Sequence, residues 1–181
     1  MSQEDLNSPP PARGDSGMDD ETYRLVQELF QLVRVGNAER LRGLLNMGLA
    51  PNLRDGSGNS LLMLASYNGQ HETARLLLEH GADPELANDR GQTPLAGTAF
   101  KGDVEMARLL IEHGADVNAQ TPDGKTALMF AAMFDRVEII DLLIERGVDP
   151  SLQTADGTTA LSLATAMGAS AAAERLARQS S

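Results

Sequence analysis

Short apolar runs alternate with polar, glycine-marked breaks along most of this chain. Leu76-Leu77-Leu78, Leu109-Leu110-Ile111 and Leu142-Leu143-Ile144 recur every 33 residues and run out at Gly81, Gly114 and Gly147. A second series, Leu61-Leu62, Pro94-Leu95, Ala127-Leu128 and Ala160-Leu161, follows Ser60, Thr93, Thr126 and Thr159. A hydroxyl before an apolar run can cap a helix start, and a glycine after one suits its end. Pro94 stands at a first helical position, where its missing N–H costs nothing. Each period therefore predicts two helices. Between Asp83 and Gly91 the chain is polar and turn-rich, which predicts a loop between successive periods.

Three glycine registers share the step. Gly58, Gly91, Gly124 and Gly157 form one, and Gly48, Gly81, Gly114 and Gly147 another. The third is Gly36, Gly69, Gly102, Asp135 and Gly168, with one substitution. Registers at one period mean one supersecondary unit repeated along the chain.

The stretch Gly91-Gln92-Thr93-Pro94-Leu95, then Gly102, then Leu109-Leu110-Ile111-Glu112-His113-Gly114-Ala115-Asp116, resembles the ankyrin repeat. The resemblance covers residues 21–178 and implies an all-α solenoid of stacked helix-turn-helix units with hairpin-like loops. It also implies a non-catalytic scaffold that binds a protein along the first-helix ends and hairpin tips. The family usually places His two residues after its Pro; here that slot holds Met63, Ala96, Met129 and Ser162. Abundant Ala, Gly and Arg, with Lys only at Lys101 and Lys125, is similar to small stand-alone bacterial ankyrin proteins. Some of that group are linked to catalase function and are often exported.

The ends depart from the frame. Residues 1–20 are polar and proline-rich and are expected to be a disordered tail or short docking segment. They contain no apolar run long enough for a secretory signal or a membrane span. A helix from Thr22 to Val35 carries Leu25, Val26, Leu29, Phe30, Leu32 and Val33 on a wide apolar face, and Asn37 to Met47 is its partner. Ser170 to Arg178 has Leu176 as its one large aliphatic, as a terminal cap requires. Residues 21–178 are thus expected to hold five units with degenerate first and last caps, followed by a tail at 179–181.

Composition narrows the chemistry. Cysteine is absent, so disulfides and thiolate sites are excluded. A formal net charge of −11 argues against a nucleic-acid surface. His80 and His113 sit one repeat apart at helix ends. Stacked helices are about 8–10 Å apart, too far for two imidazoles to share one zinc at about 2 Å each. They read as donors to helix C-termini. Asp83, Asp116 and Asp149 read as turn carboxylates. Nothing gathers acid, base and nucleophile in a cleft, so no enzyme, cofactor or metal is expected.

The residues before each turn of the third register are the candidate binding floor: Tyr67-Asn68, Phe100-Lys101, Met133-Phe134 and Met167. Three of the six aromatic residues of the chain, Tyr67, Phe100 and Phe134, fall here. At repeat spacing they would form a ridge of about 20 Å. The hairpin tips add Asp89, Arg90 and Gln92, then Asp123 and Lys125, then Asp156. Aromatic and Met side chains amid mixed charge suit a protein partner. Leu64, Phe130 and Leu163 are expected in the core. The expected molecule is a soluble, cytoplasmic monomer that binds protein, not nucleic acid or membrane. An acidic stoichiometric inhibitor or immunity protein, and a secreted host-directed effector, stay open as alternatives.

Overall fold

The computed structural model describes residues 19–179. The predicted tail therefore lies outside the described residues up to position 18, as do the last two residues. Within the described residues are ten helices and no strand. Two compact units divide the chain between Asp89 and Arg90.

The first unit holds two helix pairs. They are α1 (Asp20–Val35) with α2 (Ala38–Asn46), and α3 (Leu61–Tyr67) with α4 (His71–Glu79). Helix α1 starts two residues before the predicted Thr22, because Asp19 caps it by accepting from the Thr22 N–H at 2.8 Å. Asp20 and Glu21 add acidic charge to that first turn, where the helix dipole favours it. Helix α1 packs on α3, and α2 on α4. At 16 residues against 7, α1 outruns α3 by more than two turns, so Leu25 stays exposed and only Leu29, Phe30, Leu32 and Val33 are buried. Arg34 and Asp55 form a largely buried ion pair at 3.5 Å that ties α1 to the loop before α3.

The second unit holds three pairs: α5 (Pro94–Lys101) with α6 (Val104–Glu112), α7 (Ala127–Met133) with α8 (Val137–Glu145), and α9 (Ala160–Met167) with α10 (Ser170–Ala177). Helix α7 packs on both α5 and α9, and α8 on both α6 and α10. The core is the matching apolar set of each pair: Leu95, Met106 and Leu110, then Leu128, Met129, Ile139 and Leu143, then Ala164, Ala172 and Leu176.

The predicted caps form. Ser60, Thr93, Thr126 and Thr159 each accept from the N–H three residues on, at 3.1, 3.3, 3.3 and 3.2 Å. The Nδ1 atoms of His80 and His113 lie 2.8 and 2.9 Å from the Leu76 and Leu109 carbonyls, the helix-end role read from the sequence. Asp83, Asp116 and Asp149 each accept an N–H two residues on, as turn carboxylates do. In the slots where the family favours His, Met63, Ala96 and Met129 are buried, so apolar packing occupies them. Ser162 is exposed and completes a capping box with Thr159.

The substituted turn is also resolved. Asp135 does not lengthen α7, which ends at Met133. It takes φ 55, the one positive φ outside glycine among the described residues. Its Oδ1 accepts from the Ala172 N–H at 2.7 Å. That bond caps α10, whose own N-cap residue, Ala169, has no side-chain acceptor.

Candidate functional site

The hairpin tips are built by a short repeated device. Thr121 and Thr154 each accept a backbone N–H across the loop, from Lys125 at 2.9 Å and Thr158 at 3.1 Å. The opposite backbone bonds, Thr121 N–H to the Lys125 carbonyl and Thr154 N–H to the Thr158 carbonyl, close both loops. Gly124 and Gly157 sit inside them at φ 85 and 81. A Cβ on Gly124 would lie 2.8 Å from the Thr154 Cα, so the glycine allows consecutive tips to touch. The Ala155 N–H donates to the Asp123 carbonyl at 3.1 Å and completes that contact.

Asp123, Lys125, Thr154, Ala155, Asp156 and Thr158 line a cleft of about 210 Å³, with Leu163 as an apolar wall. Asp123 is held by the Lys125 ammonium and the Thr121 hydroxyl, which keep its carboxyl below the ordinary value of 3.8. The Thr154 and Thr158 hydroxyls hold Asp156 below that value in the same way. Both groups are therefore carboxylates at neutral pH.

At the first-helix ends, Phe100 and Phe134 touch. Their ring centroids are 4.5 Å apart with planes at 76°, an edge-to-face pair. Both rings are half-buried, as is Met133, while Lys101 and Met167 are exposed. The predicted spacing of about 10 Å between successive aromatics is corrected here. Phe134 aligns with Lys101 rather than with Phe100 in the 33-residue frame, and its ring reaches back across the turn. The Arg136 Nε donates to the Phe100 carbonyl at 3.2 Å, which satisfies the end of α5 beneath the pair.

Other predicted residues lie differently. Tyr67 is 3% exposed and Gln92 9%, so both offer almost no side-chain surface and the expected three-aromatic ridge is reduced to two rings. Asn68 is half-buried and donates to the Leu64 carbonyl at 2.8 Å, a helix-end bond. Asp89 is exposed and pairs with Arg54 at 3.3 Å; Arg90 is exposed. Leu64 and Phe130 are core as expected, but Leu163 is half-exposed and belongs to the cleft. The shared pattern Thr-x-Asp-Gly-x-Thr at 121–126 and 154–159 could have flagged this cleft.

Among the described residues, no helix is long and apolar enough to cross a membrane. Two overlapping matches to the family model for ankyrin repeats in three copies cover residues 29–121 and 98–181. The chain belongs to the ankyrin-repeat family, whose members are typically non-catalytic and generally bind proteins. It is similar to PA3287 of Pseudomonas aeruginosa, itself named provisionally as an ankyrin repeat protein, at 55% identity over 56 residues. That segment is 31% of this chain and spans a third of the relative's length, 33%.

Proposed function

We propose that this chain is a non-catalytic, cytoplasmic protein-binding scaffold whose contact surface lies in its second unit. The surface comprises Phe100, Lys101, Met133, Phe134 and Met167, with Asp123, Lys125 and Asp156 at the tips. The observation that carries this reading is the half-exposed Phe100–Phe134 pair. Phe130, Ala131 and Ala132 just before Phe134 are buried, while both rings of the pair keep part of their surface in solvent. Partly exposed, preorganised aromatics are what a binding hot spot requires, because little ordering entropy is lost on association.

The test is affinity capture from a cell lysate with the wild type and a Phe100→Ala/Phe134→Ala variant of unchanged helicity. A protein retained by the wild type and lost by the variant supports the reading. Retention of the same proteins by both would remove the aromatic pair from the binding surface. A second reading, a stoichiometric inhibitor of a basic enzyme, has the net charge of −11 behind it. Its mark would be one-to-one inhibition with an on-rate that falls steeply with salt.

A further inference from the structure

The tip cleft has a charge balance and an opening that the aromatic pair does not explain. Lys125 is neutralised by Asp123 within its own loop. Among the described residues no cation pairs with Asp156, so the two carboxylates outnumber the one ammonium. The Thr154 and Thr158 hydroxyls both donate to the same oxygen of Asp156, Oδ1, which leaves Oδ2 as an acceptor for an incoming donor. Leu163 and Ala155 supply apolar wall for the stem of a long side chain. The volume of about 210 Å³ is some seven water volumes at about 30 Å³ each, room for one such side chain.

The cleft also has a neighbour of fixed distance. Met167 stands four residues beyond Leu163 on α9, on the same helix face, and is 54% exposed. The rise between them is about 6 Å. Alternate residues of an extended strand are separated by about 6.6 Å and point to one side. We infer that the cleft receives an arginine or lysine side chain from an extended segment of the partner. The residue two positions along that segment is apolar and rests on Met167. This rests on the protein-binding reading and narrows it to a partner segment of the form basic-x-apolar. A chain of net charge −11 steers such a segment toward itself.

The experiment pans a randomised 12-residue peptide display library on the full chain and measures the enriched peptides by fluorescence anisotropy. The expected consensus is Arg or Lys two positions from an apolar residue. Asp156→Asn should weaken such a peptide at least tenfold at low salt. Asp149→Asn, which removes the same charge outside the cleft, should change it less than twofold. Ala155→Lys, at an exposed position of the cleft mouth, places a cation there with Asp156 intact and should reproduce the loss. A consensus without a basic residue, or equal losses for the Asp156 and Asp149 variants, overturns the inference. If those peptides are still lost with Phe134→Ala, the aromatic surface stands and the cleft alone falls. If no peptide is enriched over a no-protein control, both fall.

Discussion

Helix pairs α7/α8 and α9/α10 share one frame and differ in what fills it. Leu128, Met129, Phe130, Ile139 and Leu142 are all buried in the first pair. Their counterparts 33 residues on are Leu161, Ser162, Leu163, Ala172 and Arg175. Only Ala172 of these is buried. Helix α7 has neighbours on two sides, α5 and α9; among the described residues the last pair packs on α7 and α8 alone. Frame residues do not follow this difference: Thr126 and Thr159 cap in the same way, and Gly124 and Gly157 are both left-handed. Backbone conformation fixes the caps and glycines wherever the unit sits. Neighbours fix the size of everything else, so side-chain volume falls where one neighbour is missing.

The largest test of this contrast is a matched truncation. Leu128→Ala should lower unfolding free energy by about 2–5 kcal/mol, the range for a fully buried leucine. Leu161→Ala, half-exposed in the same register, should lose about 1 kcal/mol, in proportion to the area it hides. Urea titrations of both variants followed by circular dichroism measure the difference. Equal losses would mean that the last pair is covered in solution by something besides α7 and α10.

A smaller effect separates two turn glycines. Gly102 and Gly168 take φ 83 and 70, so alanine at either incurs a left-handed penalty of about 1–2 kcal/mol. At Gly168 a Cβ meets nothing within 4 Å, whereas at Gly102 it would lie 2.8 Å from the Arg136 Cδ. Shifting Arg136 also endangers its bond to the Phe100 carbonyl. Gly102→Ala should therefore lose about 1 kcal/mol more than Gly168→Ala, the worth of one hydrogen bond. It should also change the near-ultraviolet signal of the Phe100–Phe134 pair. Identical midpoints for the two variants would separate the Arg136 contact from stability.

What could be read from the sequence divides along the same line. The hydroxyl caps, the helix-end histidines and the positive-φ glycines depend on local backbone chemistry, and their residue types announce it. The contact of Phe134 with Phe100 depends on which way a ring turns toward a residue 34 positions back, which no spacing rule encodes. Tyr67 and Gln92 fell in surface-type slots and are buried, because burial is set by neighbours rather than by register. The cleft was half legible. Asp123, Lys125 and Asp156 are visible as tip residues, but Leu163 reads as core, since it stands in the register of the buried Phe130 one repeat earlier.

Asp135 offers the finest test, because it links the two pairs. Where the frame has glycine at Gly36 and Gly102, a Cβ would run into the side chain 34 residues on, Gln70 or Arg136. The corresponding residue for Asp135 is Ala169, small enough to leave the space open. The aspartate uses that space to reach the Ala172 N–H at 2.7 Å. A left-handed non-glycine residue costs about 1–2 kcal/mol, less for Asp than for most. A lost N-terminal cap costs about 1 kcal/mol. Asp135→Ala keeps the strain and loses the cap, and should be destabilised by about 1–2 kcal/mol. Asp135→Gly loses the cap and relieves the strain, so it should stay within about 0.5 kcal/mol of wild type. Asp135→Asn keeps an acceptor without the charge and should lose about 0.3–1 kcal/mol, the part due to the helix dipole. Chemical denaturation of the three variants gives the order. Were glycine as damaging as alanine, the cap on α10 would outweigh the backbone, and the small residue at Ala169 would exist to admit a bond rather than to tolerate a strained turn.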